Sequence, residues 1–486
     1  MMQQQPLSFF REILKSENTI QNSSNGSDNI SDTPLLTSSE IFNEEPEEIC
    51  HYTKTSHQLK YNDISGLSVI KIRIDNNNRT SHSHSTKKNR TRKNRTKKKA
   101  NANACPNRNE KGPPTIGADL KKGFNSNYTR PSQMEIYSLD DVLGSIQYSV
   151  ANKLLSMTDL KFITTRRHLS KLMGILLDNQ PVAFNVIYWK GLIFFVYDWR
   201  FKDEINAESS HGDDQENDHQ NNHQNNHQNN HQNNHQNNHQ NNHQSNHQSV
   251  NHSLVETEAR SADNIRRLEL LQYCGFKFEE IITTSQTSTT SSVFSKFYTV
   301  VKHKVNGIPV VYTAEVDCAV DNVPGLANYV ELKTHSILSD DKAKTINKFS
   351  RKLMALYCQN KFISCKNSVI GFRSADCKLA SMKTYSERDL VNTLRASPIP
   401  FGNGYSFNTK HIFHWYRHVL HWLSTMDDDN DNNKDNPRVF KLCFQRTREF
   451  VDSSLVLKPV SESESSTILN TFVPKWFQDF INTTPS

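Results

Sequence analysis

The sequence predicts an α/β fold of mixed α+β type carried by roughly 310 of its 486 residues. Three observations point there. Segments with helical spacing alternate along the chain with short runs rich in Val, Ile, Phe and Tyr. Two pairs of those runs are joined through Gly-containing turns, as hairpins are. The rest of the chain is polar and repetitive, and it dilutes a normal core. The whole chain is only 35% hydrophobic with a mean hydropathy of −0.73, against about 45–50% apolar for an ordinary globular domain by a count that includes Gly.

Residues 1–125 are rich in Ser, Asn, Thr, Lys and Glu and are expected to be a disordered polar and basic head, with one short helix at Leu7–Leu14. The folded region, 126–486, is expected to begin near Tyr128. Val142–Leu155 and Leu169–Leu177 have helical spacing. Val182–Tyr188 and Leu192–Tyr197 read as a strand pair joined through Trp189-Lys190-Gly191. From His219 to His247 a His recurs every fourth residue in HQNN units. Helical i, i+4 His pairs can bind metal, but this repeat has no apolar face to bury, so 211–253 is expected to be a disordered insertion.

Ala262–Cys274 is a predicted helix. Phe297–Lys304 and Ile308–Val316 are strands around Asn306-Gly307, a strong hairpin signal. Asn328–Lys333 is a further strand, Lys342–Gln359 a helix, Ser368–Phe372 a buried strand and Ile412–Leu423 an amphipathic, aromatic helix. A second polar insertion covers 426–437. Phe440–Phe444 and Ser453–Leu457 are late strands.

Charge and cysteine usage narrow the function classes. The net charge is +7, yet Lys87 to Lys99 alone holds nine basic residues and no acid. Without that tract 49 basic residues face 51 acidic ones, so basicity does not coat a domain. The tract at 87–99 reads as a nuclear-localisation or nucleic-acid-contacting arm. The eight cysteines form no C-x-x-C pair, which argues against a zinc ribbon or a disulfide framework. There is no run of about 18 apolar residues, so no membrane-spanning helix is expected. Met1–Asn22 lacks the pattern of a secretory leader.

Four pieces of the folded region carry chemistry. Gly275-Phe-Lys-Phe-Glu279 follows the predicted helix. Glu315-Val-Asp317 ends a hairpin strand, Glu331-Leu-Lys333 lies on the next strand, and Gln359 closes the helix after it. Side chains at i and i+2 of a strand share a face. Glu315 therefore projects with Asp317, and Glu331 with Lys333, while Val316 and Leu332 face a core. Clustered carboxylates repel unless a cation sits among them, and hard oxygen ligands favour Mg²⁺ or Mn²⁺. A lysine beside such a site can orient a water or stabilise a phosphate. Either triplet alone is a common feature of solvent-facing strands. In this order, with Glu331 fourteen residues after Asp317, the set resembles the PD-(D/E)xK nuclease pattern and suits metal-assisted phosphodiester hydrolysis.

The full set resembles the decapping exoribonuclease family, called DXO in animals, with fungal relatives that accompany nuclear 5′-to-3′ exoribonucleases. Its G-h-x-h-E motif matches Gly275–Glu279, its E-h-D motif Glu315–Asp317, its E-h-K motif Glu331–Lys333, and its following glutamine Gln359. Its arginine before H-L-x-K-L matches Arg166 in Thr165-Arg-Arg-His-Leu-Ser-Lys-Leu172. Further likeness lies in Arg130-Pro131, Tyr137-Ser-Leu-Asp140, Gly371-Phe-Arg373 and Phe472-Val-Pro-Lys-Trp476.

The resemblance implies two mostly antiparallel or mixed sheets with packed helices. It implies a Mg²⁺- or Mn²⁺-dependent hydrolase of RNA 5′ ends that removes NAD caps, unmethylated caps or triphosphates, with 5′-to-3′ exoribonuclease activity as an extension. A non-catalytic role as stabilising partner of a larger 5′-3′ exoribonuclease is the alternative. Carried over, Glu279, Glu315, Asp317, Glu331 and the Leu332 carbonyl would bind metal. Lys333 and Gln359 would hold the attacking water or scissile phosphate. Arg166 would contact RNA phosphates, with Glu279 and Glu315 also facing substrate. The chain departs from the family where Thr165 and Arg167 replace a flanking Trp and Gly, and where only 21 residues separate Asp140 from Phe162.

Overall fold

The computed structural model describes residues 42, 44–56, 58–74, 116–175, 177, 181–201, 249–285, 295–338, 343–402, 405–428, 435–445 and 453–484. The short helix expected at Leu7–Leu14, the basic tract at 87–99 and the HQNN repeat lie outside them.

In chain order the main elements are β1 (Glu47–Lys54), β2 (Leu59–Tyr61), β3 (Ser68–Ile70), α1 (Phe124–Asn127), α2 (Gln133–Tyr137), α3 (Asp140–Ala151), β4 (Phe162–Thr165), α4 (Arg166–Gly174), β5 (Ala183–Trp189) and β6 (Leu192–Tyr197). Then come α5 (Ser249–Ile282), β7 (Thr283–Ser285), β8 (Lys296–Val305), β9 (Ile308–Val316), β10 (Cys318–Ala319), β11 (Tyr329–Ser336), α6 (Ala343–Phe362), β12 (Asn367–Arg373) and β13 (Leu379–Ser386). The chain closes through α7 (Glu387–Ala396), β14 (Ile399–Gly402), β15 (Tyr405–Phe407), α8 (Thr409–Asp428), β16 (Arg438–Gln445), β17 (Ser454–Pro459), α9 (Glu462–Phe472) and α10 (Lys475–Thr483).

Two mixed sheets form, as expected. One has nine strands in the order β17-β16-β5-β6-β4-β9-β8-β1-β2, and the other six in the order β13-β12-β11-β10-β3-β7. Most neighbours are antiparallel, but β4 runs parallel to β6 and β9, β11 parallel to β12, and β10 parallel to β3. Both hairpins turn as their sequences predict. Lys190-Gly191 and Asn306-Gly307 have positive φ at both turn residues, which matches the right-handed strand twist.

The largest core lies between the sheets. There Leu169 and Leu172 of α4, Leu353 and Tyr357 of α6, and Trp415 and Leu420 of α8 meet Phe195, Tyr312, Ile370 and Phe372. A second core covers the other face of the large sheet with α3, α9 and α10. A third puts Cys274, Phe278 and Ile282 of α5 on Val330, Leu332 and Val369 of the small sheet.

Two expectations need correction. The folded region is not confined to 126–486. β1 pairs with β8 in the large sheet, and β3 lies between β10 and β7 in the small one. Glu47-Glu-Ile-Cys-His-Tyr-Thr-Lys54 is too charged for an average-composition criterion, yet its Cys50, Tyr52 and Thr53 are buried. Tyr52 stacks on Tyr298 at 5.1 Å, and Lys54 pairs with Asp141 at 2.7 Å. Leu120, also inside the supposed head, is fully buried. The second correction concerns Gly275. Instead of following a helix that ends at Cys274, it lies within α5, which runs to Ile282. The repeat of Cys274, Phe278 and Ile282 on one face outweighs the roughly 1 kcal/mol helix penalty of a glycine.

Candidate active site

The site forms where the chain passes from one sheet to the other. β9 ends at Val316 in the large sheet and β10 begins at Cys318 in the small one, so Glu315-Val-Asp317 spans the seam. β10 pairs with β11 through Cys318 and Val330, which brings Glu331 and Lys333 beside Asp317. β4 runs parallel to β9 with Thr165 opposite Thr313, and Thr165 caps α4 by accepting from the His168 amide. Arg166 thus opens a helix next to the Glu315 backbone.

Arg166 and Lys333 hold Glu331 from two sides. Arg166 Nη1 donates to Glu331 Oε2 at 2.9 Å, and Arg166 Nη2 donates to the Glu315 carbonyl at 2.7 Å. Lys333 Nζ donates to Glu331 Oε1 at 2.6 Å, to Asp317 Oδ2 at 3.2 Å and to the Leu332 carbonyl at 3.0 Å. Burial alone would push the Glu331 carboxyl up, but the two cations overcome that and bring it down to about 2. Lys333 is carried the other way: burial favours its neutral form, and Asp317 and Glu331 outweigh burial and raise it.

Asp317 accepts from the Leu332 amide at 2.7 Å, yet burial and the Glu331 charge lift it to about 6 despite Lys333. Glu279 reaches the cluster from α5. Burial, then Asp317 and Glu315, hold its carboxyl well above the usual range. Glu315 lies below its ordinary value, because Lys296 and Arg167 outweigh the effect of burial. Lys296 Nζ donates to Glu315 Oε1 at 2.5 Å, and Arg167 stands 3.7 Å from Oε2.

The structure therefore brings Arg166, Glu279, Glu315, Asp317, Glu331, Leu332 and Lys333 together. Gln359 is half-buried on α6, and its amide makes no hydrogen bond among the described residues. Its neighbour Asn360 donates to Ser368 Oγ at 2.8 Å, and Ser368 is the register partner of Glu331. Arg166 is only 8% exposed. Its two committed donors give it a task that the sequence did not assign, clamping the acidic cluster, whereas Arg167 is half-exposed beside it. His168 in the matched stretch is a core histidine. Its Nδ1 accepts from the Tyr197 amide at 3.1 Å, and burial, then Arg167, lower it to about 3.

Sequence reasoning missed Lys296. Its only advance signal was its place at the start of the strand that pairs with the E-h-D strand.

A glycine sets the approach of α5. A Cβ on Gly371 would stand 2.5 Å from Phe278 Cε2, so only glycine lets that ring lie against β12 one residue before Glu279.

The donor chemistry fits a hard divalent cation: four carboxylates, two of which are pushed up by burial and then by the charge of neighbouring carboxylates. As the side chains stand, no group of three or more His, Cys, Asp or Glu among the described residues forms a ready ligand shell. Lys333 lies among the carboxylates and takes two of them.

Residues 44–478 match the family model described as RAI1 like PD-(D/E)XK nuclease. The chain is 23% identical over 223 residues to decapping nuclease RAI1 of Debaryomyces hansenii, covering 40% of this chain and 54% of that protein. The match thus spans about half the length of that relative. Among solved structures, Candida albicans Rai1 in complex with pU5-Mn²⁺ superposes with a TM-score of 0.61 at 16% identity, over 90% of this chain and 96% of that one. Scheffersomyces stipitis Rai1, solved with (3′-NADP)⁺ and calcium ion, gives 0.62 at 16% identity, over 93% and 98%. At that identity the likeness is one of fold. With the family model covering residues 44–478, nearly all of the described chain, the protein belongs to the RAI1-like PD-(D/E)XK nuclease family.

Proposed function

We propose that this chain is a divalent-metal-dependent hydrolase of RNA 5′ ends that removes incomplete or non-standard caps: NAD, unmethylated guanosine or triphosphate. The observation that carries this reading is the split acidic cluster. Glu331 is ionised and clamped by Arg166 and Lys333, while burial and then neighbouring carboxylates hold Glu279 and Asp317 up. Glu279, Glu315, Asp317, Glu331 and the Leu332 carbonyl would hold Mg²⁺ or Mn²⁺. When bound, such an ion supplies polarisation of the phosphate and a lowered pKa for an attacking water. Arg166 keeps Glu331 charged and in place, which fixes one wall of the site. Lys333 presents an ammonium to the phosphate being attacked, and Gln359 offers a free amide to orient the water. Arg166 and the more open Arg167 contact the RNA phosphates, a task that suits the forked guanidinium.

Stepwise 5′-to-3′ degradation after cap removal, association with a 5′-3′ exoribonuclease, and nuclear residence directed by the tract at 87–99 are further parts of the proposal. Co-purification tests the partner, and relocation of a chain lacking 87–99 tests the address. The central test uses purified protein and 5′-labelled RNAs ending in NAD, unmethylated cap, triphosphate or monophosphate, with Mg²⁺, Mn²⁺ or EDTA. The expected outcome is metal-dependent release of the label as an intact cap or pyrophosphate. Folded protein that releases nothing from any substrate with either metal would leave only the partner-stabilising role.

A further inference from the structure

Beside Lys333, away from the acids, stands a group of cations with no counter-charge. Lys352 on α6 donates its ammonium to the Thr334 carbonyl, one residue after Lys333. It makes no ion pair among the described residues. Arg373, where β12 ends, likewise has no ion pair among them, and its Nε is buried without a hydrogen-bond partner. Lys348, one helical turn before Lys352, is exposed. Arg373 is the register partner of Ser336, two residues past Thr334, so it and Lys352 stand at the same end of β11. Burial, then Lys333 and Arg373, hold Lys352 down to about 8. His335, two residues from Lys333 on the same strand, is lowered by burial and then by Lys352, Arg373 and Lys348.

Lys348, Lys352 and Gln359 fall at i, i+4 and i+11, which share one helix face. Lys352 sits about 10 Å, and Lys348 about 16 Å, from Gln359 along the axis. Like charges gathered without an acid raise one another's energy. A fold that keeps such a group next to a reactive lysine needs an anion to offset it. Phosphate satisfies both the point charge of a lysine and the fork of an arginine.

We propose that Lys352 and Arg373, with Lys348 beyond them, form a second phosphate subsite that takes the RNA phosphate adjacent to the one held at Lys333. This rests on the hydrolase reading for its substrate, but not for its geometry. The second phosphate comes either from the next internucleotide link or from a 5′ polyphosphate.

The test measures binding of 3′-fluorescein oligouridylates of one to four nucleotides carrying a 5′ monophosphate, and of the one-nucleotide probe carrying a 5′ triphosphate. Binding is read by anisotropy in Ca²⁺ across a salt series. Wild-type hydrolysis is followed in parallel with Mn²⁺. The double variant Lys352→Gln, Arg373→Gln should lose about tenfold in affinity for probes with two or more phosphates, and little for the one-nucleotide monophosphate. Its log–log salt slope should shrink by about 0.7, because one phosphate is no longer neutralised by the protein. Lys352→Arg, with Arg373 intact, should keep both values, and the melting temperature of the double variant should not fall. A defect confined to longer oligouridylates assigns the subsite to the internucleotide link; one confined to the triphosphate assigns it to the 5′ end. Unchanged slope and length dependence in the double variant overturn the subsite, while wild-type hydrolysis would still stand. A wild type that binds in a length-dependent, variant-sensitive way but hydrolyses nothing keeps the subsite and sinks the enzyme. A wild type that does neither overturns both.

Discussion

Glu331 and Asp317 share the ammonium of Lys333, yet their carboxyl groups go opposite ways, one to about 2 and the other to about 6. The difference is Arg166. Its guanidinium donates to Glu331 and to the Glu315 carbonyl, and it reaches neither Asp317 nor Glu279 by a hydrogen bond. The Glu331 side of the cluster is thus electrostatically complete in the protein alone. The Glu279 and Asp317 side is not, and it becomes complete only on taking up protons or a cation. In such an arrangement the fold builds a rigid wall first and leaves unbalanced negative charge on the side proposed to take the metal.

The largest test of that contrast removes Asp317 from the open side together with Glu315, the carboxylate two residues before it on the seam. Glu315→Ala with Asp317→Ala should lower metal-dependent release of a 5′ label by three orders of magnitude or more, roughly what loss of a metal site costs. A turnover rate within about tenfold of wild type would sink the catalytic assignment. Next is the closed side. Arg166→Met leaves Glu331 buried at 2% exposure with half its counter-charge gone. Unfolding in urea should show a loss of about 3–5 kcal/mol, as for a broken buried pair. A change below about 1 kcal/mol would mean that Lys333 alone suffices.

How much of this was legible beforehand follows from the distances involved along the chain. The E-h-D and E-h-K triplets could be read because a strand fixes i and i+2 on one face, a rule that needs no tertiary information. The two hairpins around Lys190-Gly191 and Asn306-Gly307 and the helices expected at Val142–Leu155, Leu169–Leu177, Lys342–Gln359 and Ile412–Leu423 were legible for the same reason, since their signals are local, whereas α7, α9, α10 and the β14–β15 pair were not read. The Arg166 clamp could not be derived from spacing, since it joins residues 165 apart. Lys296 was invisible as one of 58 basic residues, distinguished only by the register of β8 on β9. β1 and β3 were lost to averaging, because eight partly charged residues disappear inside a polar head unless their partner strands are known. The helix passing through Gly275 was misjudged because an isolated glycine stops a helix only when no packing compensates, and here α5 packs on Val330, Leu332 and Val369.

That packing supplies a smaller test, which moves the open side without touching its charges. Gly371→Ala would place a methyl 2.5 Å from the Phe278 ring. The ring must shift and carry Glu279 with it. The expected cost is about 1–3 kcal/mol of stability from overpacking, with weaker apparent Mn²⁺ affinity. Pairing it with Phe278→Leu should restore much of the stability. Full metal affinity in Gly371→Ala would show that Glu279 is not positioned through this packing.

The smallest effect has the most distinctive sign. Asp317 stands at about 6 in the folded protein against an ordinary 3.8, so the folded state binds a proton that the unfolded chain has already released between those values. Ionised Asp317 therefore costs the metal-free protein stability, fully above about pH 6 and not at all below about pH 4. Asp317→Asn should make metal-free protein more stable by about 1 kcal/mol at about pH 7.5, once the loss of a charged partner for Lys333 is set against the relief. The gain should vanish near about pH 4. Mn²⁺ should reverse the order. Wild type should gain stability with metal, increasingly so as pH rises through about 6 because binding displaces the Asp317 proton, and the variant should gain little. Glu331 predicts the opposite slope: its contribution is present above about pH 4.5 and is lost only as the pH falls toward about 2. Melting curves of the two metal-free proteins from about pH 4 to about pH 8 decide the matter. Parallel curves would mean that Asp317 is as well paired as Glu331, and the contrast between the two sides of the cluster would then be gone.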